Sequence, residues 1–148
     1  MRIALFEPDI PQNAGAIFRI AACLDVEVDV IGPCGFVMDD RRLKRVTMDY
    51  GVQAKITTHS SWTSWYSTIG KRRIALLTTK GSMSYTKFEY NDSDTLLLGR
   101  ESAGAPDYVH AAANARLLIP MAREARSLNA ASAIAIVLGE ALRQTRGA

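Results

Sequence analysis

Short apolar runs separated by stretches of helical spacing are what most constrain this chain. Ile3 to Phe6, Val26 to Ile31, Ile74 to Thr78 and Thr95 to Leu98 read as buried strands. Between the first two, Ile17, Ile20, Ala21 and Leu24 recur at helical intervals and predict a helix over 13–24. Arg19 points away from that apolar stripe, towards a partner or a ligand. Ala54 to Thr57 and Leu117 to Ile119 read as further strands, and Ser60 to Ile69 as a helix whose Trp62 and Trp65 anchor the core. Asp39 is placed to cap a short basic helix ending before Gly51. A last helix, Leu128 to Arg143, carries Leu128, Ala131, Ile134, Ala135, Leu138 and Leu142 on one face, with Thr145 to Ala148 as a frayed tail. Strands alternating with helices predict an α/β fold with a mainly parallel sheet, its strand order left open.

With 148 residues and 48% hydrophobic composition, the chain has enough for one sizeable core, so a single domain over 1–148 is expected. Cys23 and Cys34 match no metal-ligand spacing, and His59 and His110 lack partners at such spacing, so no metal site is expected. The N-terminus turns acidic too soon for a secretion signal, and no apolar run is long enough to span a bilayer. A reduced, cytoplasmic protein without a membrane segment is the expectation.

The net charge of +3 permits a polyanionic partner without requiring one. Its distribution says more. Arg41, Arg42, Lys44 and Arg45 crowd one segment, Lys71, Arg72 and Arg73 form a second, and Arg123 and Arg126 lie in a C-terminal loop. These patches fit either a phosphate backbone or solvated faces.

Unusual residues gather in three strand-exit loops: Glu7 to Arg19, Gly99 to Pro106 and Ile119 to Asn129. In an open parallel sheet such loops share one edge and can build one pocket. The third loop places two arginines, then Ser127 and Asn129, between a strand end and a helix start, where backbone amides and carbonyls are open to a ligand. Gly99 and Gly104 bracket Glu101 and Ser102, an arrangement that fits either a plain glycine turn or a close backbone approach to a bound group. GRESAG is neither a phosphate-binding P-loop nor a dinucleotide fingerprint.

Three segments in order, EPDIPQNAGAIFR, LLLGRESAGAP and IPMAREARSLNAASAIAIVLGEALR, resemble the motifs of the SpoU (TrmH-like) branch of SPOUT RNA methyltransferases. Together with DDRRLKR and TTKG they are most similar to the small stand-alone subgroup that 2'-O-methylates nucleotide 34 of tRNA. The resemblance implies an α/β knot, S-adenosyl-L-methionine as methyl donor, tRNA as substrate, and a homodimer with active sites at the subunit boundary, without an added RNA-binding domain. By the same likeness Arg19, Ser127 and Asn129 are catalytic. Thr78, Gly99, Glu101, Ile119, Met121 and Ser127 hold the cofactor, and Asn13, Arg19, Arg41, Arg42, Lys44, Arg45, Arg123 and Arg126 meet the RNA. Ala130, Ala131 and Ser132 depart from the larger residues usual after the third motif, Ala105 replaces a usual leucine, and Gly139 lies near a tyrosine position. Another tRNA or rRNA position, a noncatalytic RNA-binding protein and an ordinary doubly wound nucleotide-binding enzyme are the alternatives.

Overall fold

A computed structural model describes residues 1–38 and 54–147; the expected basic helix, with Arg41, Arg42, Lys44 and Arg45, lies outside the described residues. The strands are β1 (Arg2–Phe6), β2 (Glu27–Ile31), β3 (Ile56–His59), β4 (Ile74–Leu77), β5 (Met83–Ser84), β6 (Thr95–Leu98) and β7 (Ala115–Leu118). They form one parallel sheet in the order β3-β2-β1-β6-β4-β7-β5. β1, β4 and β6 are apolar throughout or nearly so because they are buried on both faces, as the centre of a parallel sheet requires.

Alternation along the strands divides the core in two. Ile3, Leu5, Val28, Val30, Leu96 and Leu98 point to one face, covered by α1 (Pro11–Cys23) and α4 (Ala130–Arg146). Ala4, Phe6, Ile31, Ile74, Leu76 and Leu97 point to the other, covered through Trp65 and Val109 by α2 (Trp62–Tyr66) and α3 (Asp107–Ala112). Trp65 is fully buried and Trp62 half-buried against Phe6, which bears out their reading as core anchors.

Some boundaries differ from expectation for identifiable reasons. α1 begins two residues early because Pro11 has the φ of a first helical turn and needs no N–H there. β3 is shifted to Ile56–His59, and α2 shrinks to five residues capped by the Ser61 side chain, which accepts from Ser64 N at 3.1 Å. β5, a two-residue strand, and α3, alanine-rich and short, lie in stretches where no strand or helix was expected. On α4 the buried face includes Val137 and Ala141, while Leu128 and Ala135 are exposed. The expected frayed tail is instead helical to Arg146, whose guanidinium donates to the carbonyls of Leu24 and Asp25 at the end of α1.

One buried carboxylate ties four elements together. Asp29, 3% exposed, accepts from Arg2 at 3.0 and 2.8 Å and from the Trp65 indole at 3.2 Å, and lies 3.2 Å from His59 Nε2. Burial pushes its pKa up, but the hydrogen bonds from Arg2, Trp65 and His59 and the Arg2 charge outweigh this and hold it below the ordinary value. The stabilisation is therefore complete above the unfolded-state pKa and is lost as pH falls through the lowered folded one. Asp29→Ala is expected to lower the unfolding free energy by about 3 kcal/mol, the penalty for breaking a buried ion pair. It should also flatten the acid limb of stability against pH, as read by urea titration.

Candidate active site

The strand order decides where a ligand can sit. β1, β6, β4 and β7 are consecutive in the sheet, so the chain leaving Phe6, Leu98, Leu77 and Leu118 emerges at neighbouring points on one edge. A cavity of about 760 Å³ opens there. Leu77, Leu98 and Leu117 form part of its lining, and loop residues complete its walls. The expected convergence of three loops is what the chain does, with Thr78 and Thr79 adding a fourth.

Each wall has a local cause. After β6, Gly99 lies so close to the returning chain that a Cβ there would stand 2.5 Å from Ala105 N, which only glycine tolerates. The loop closes through reciprocal bonds between Arg100 and Gly104, at 3.2 and 2.8 Å. After β4, Thr78 N donates to Leu117 O at 2.9 Å, holding the 78–81 turn against β7. On the third wall Asn129 caps α4, its Oδ1 accepting from Ala131 N at 2.9 Å and Ser132 N at 3.3 Å. Its Nδ2 donates to Asn13 Oδ1 at 2.8 Å, joining the starts of α1 and α4 across the cavity mouth.

Of the residues singled out from sequence, Asn13, Thr78, Gly99, Glu101, Ile119, Met121, Arg123, Arg126, Ser127 and Asn129 all line this cavity. Arg19 does not. It is exposed on α1, outside the cavity of its own chain. The Lys71–Arg73 cluster lies at the opposite, N-terminal edge of the sheet, and two of its members have internal tasks. Arg73 pairs with the buried Asp94 at 2.7 Å, and Arg72 donates to Ile69 O at 3.1 Å. Among the described residues no group of three His, Cys, Asp or Glu is placed to hold a metal ion, and no helix is long and apolar enough to cross a membrane.

The Glu101 carboxyl group, which lines the cavity, also makes a contact between loops: Oε2 accepts from Asp9 N at 3.0 Å. Asp9 answers, its Oδ1 accepting from Glu101 N at 3.2 Å and its Oδ2 from the Ser102 hydroxyl. A hydrogen bond from the Glu101 carboxyl lowers the pKa of Asp9, while burial and Asp9 raise that of Glu101, so Asp9 is the more acidic of the pair. Beside them Glu7, with a left-handed φ of 43°, forms an ion pair with Arg100, whose guanidinium lies 5.3 Å from the Phe6 ring centre. Asp9 and Ile10 were not singled out as site residues; only their membership of the first loop marked them.

Known proteins resemble this chain in sequence and in fold. A tRNA (cytidine(34)-2'-O)-methyltransferase of Beijerinckia indica is 51% identical over 145 residues, covering 96% of this chain and 90% of its own. A solved structure described as giving insights into the 2-OH methylation of C/U34 on tRNA superposes with a TM-score of 0.94 at 34% identity, covering 99% of this chain and 97% of its own. The SpoU methyltransferase AviRb from Streptomyces viridochromogenes, in complex with the cofactor AdoMet, superposes with a TM-score of 0.85 at 25% identity, covering 100% of this chain and 61% of its own. With residues 1–139 matching the SpoU rRNA methylase family and the motif residues meeting in one cavity, the chain belongs to that family.

Proposed function

We propose that this protein transfers the methyl group of S-adenosylmethionine to the ribose 2'-hydroxyl of a tRNA at wobble nucleotide 34, a cytidine or modified uridine. The observation that carries this reading is the meeting of all three motif loops on one cavity. Relatives that match almost end to end and bear that activity in their names support the choice of substrate.

The cavity suits the donor. About 760 Å³ lies within the range of small-molecule sites, with apolar side chains for a purine and strand-exit peptide groups for its polar edges. Thr78, Gly99, Ile119 and Met121 would hold the nucleoside, and Ser127 and Asn129 would position the reacting end. S-adenosylmethionine, when bound, supplies a methyl carbon open to in-line attack by the ribose oxygen, the C–S bond pair leaving on sulfur and the hydroxyl proton passing to solvent. The Asn129 amide is held at both ends, by the α4 backbone and by Asn13, so it needs no reorganisation as charge shifts. Arg19 stabilises the charge on the attacking oxygen. Its guanidinium stays protonated, so it acts as a fixed cation and not as a base.

Because Arg19 lies outside its own chain's cavity, this reading requires a second copy to bring it there, in a homodimer with sites at the subunit boundary. The exposed Ile10, Leu128 and Ile136 supply apolar surface on and beside the cavity walls. By this reading the C-terminal segment threads through a loop as a trefoil knot. That reading is supported by β7 inserting between β4 and β5, strands laid down earlier in the chain. A single domain serves both donor and RNA, Arg123 and Arg126 at the cavity and the Arg41–Arg45 cluster contacting tRNA phosphates, in the cytoplasm where tRNA is found.

Incubating the protein with methyl-labelled donor and total tRNA, then mapping the product, should place the label on the ribose of nucleotide 34; a base-linked methyl would overturn the reading. Arg19→Ala should lower kcat by about 100-fold or more, the range for losing a charge-stabilising group, with donor affinity within about twofold by calorimetry. Replacing Arg41, Arg42, Lys44 and Arg45 with Ala should weaken tRNA binding and reduce its salt slope by about 0.7 to 0.9 for each phosphate left unneutralised. An unchanged slope would remove that cluster from the RNA surface.

A further inference from the structure

Two cavity walls are held together by groups that the reaction itself does not use. The turn before α1 carries Ile10 and Asn13; the loop after β6 carries Gly99, Glu101 and Gly104. No strand ladder continues between them past Leu5 and Leu98. Besides the Glu7–Arg100 ion pair, what joins them is side chain to backbone, in both directions: Asp9 N to the Glu101 carboxyl at 3.0 Å, and Glu101 N to the Asp9 carboxylate at 3.2 Å. The Ser102 hydroxyl adds a third bond to Asp9. Asp9 is also braced from behind. Gly35 donates from its N to Pro8 O at 3.0 Å, and a Cβ on Gly35 would stand 2.8 Å from Asp9 Cβ.

We propose that Asp9 is a positioning residue for the methyl donor pocket, clamping the turn before α1 to the loop after β6 and so fixing the spacing of two of the pocket's walls. The inference rests on the cavity being the donor site. Asp9 is suited to this because a carboxylate can accept from a backbone N–H and a hydroxyl at once, whereas a neutral residue of similar length offers fewer acceptor positions. Glu101 and Asp9 meet at close range because each carboxyl group accepts from the other residue's backbone N–H, and their pKa values are pushed apart, Asp9 down and Glu101 up. The charged groups nearby, Glu7 and Arg100, neutralise each other.

The test is donor affinity measured directly, by calorimetry with S-adenosylmethionine and with S-adenosylhomocysteine. Asp9→Ala should weaken both by about tenfold, the share of one hydrogen bond to a charged group, while kcat at saturating donor falls less than the affinity does. Ser102→Ala, on an exposed residue, should weaken binding in the same direction by a smaller factor. The double variant should be less impaired than the product of the two single effects, since both act on one clamp. Asp9→Asn, which keeps an acceptor for Glu101 N, should recover part of the affinity. Full affinity in Asp9→Ala, or independent single effects, would overturn the clamp. Wild-type protein that binds neither ligand would instead reject the donor-site reading. Should Asp9→Ala fail to fold, Ser102→Ala and Gly35→Ala, which crowds Asp9, carry the same test.

Discussion

Parallel hydrogen bonding between strands taken out of chain order is the constraint on which the rest of this molecule depends. Register pairs Leu5 with Leu98, Leu98 with Leu77, and Leu77 with Leu117, so four strands end level with one another. At about 4.8 Å between neighbours, their exits span about 15 Å, the width of one extended small molecule. Motif residues more than a hundred positions apart, such as Asn13 and Asn129, therefore become hydrogen-bond partners. An antiparallel sheet with the same residues would scatter these loops to both edges.

The two edges of the sheet have divided their labour. At the N-terminal edge, ionic groups are turned inward and satisfied: Arg73 with Asp94, and Arg2 with Asp29 and Glu27. At the carboxyl edge, Arg123 and Arg126 remain exposed on a loop that lines the cavity. Charge count alone treats these arginines alike. Their fates differ because a guanidinium beside a buried carboxylate replaces lost solvation, whereas one on an open loop keeps its water until a polyanion displaces it.

That difference explains which parts of the sequence were legible. β1, β4 and β6 could be read because burial on both faces writes an unbroken apolar run. β5 could not, because two residues, Met83 and Ser84, carry no periodicity and pair only because β7 arrives beside them. α3 was hidden by its alanines and its length of six residues. The site's loops stood out by their polar residues and glycines, yet the bond of Glu101 to the first loop did not. A carboxylate between glycines signals a polar task without saying whether a ligand or another loop receives it, and the receiving group, Asp9, lies 92 positions away.

Gly139 shows how far one chain can explain itself. In the exposed middle of α4 a glycine costs about 1 kcal/mol relative to alanine, and among the described residues no atom beyond its own helix backbone and chain neighbours lies within 4 Å of where its Cβ would stand. Neither fold nor cavity therefore requires it. Ala130 and Ala131, by contrast, are partly buried and pack against the core, so their place has a use within the chain. In the dimer reading, a residue without internal justification on an exposed helix face belongs where a second backbone comes close. There a side chain at 139 would hold the two chains apart, and with them the Arg19 that the proposed dimer has each copy lend to the other.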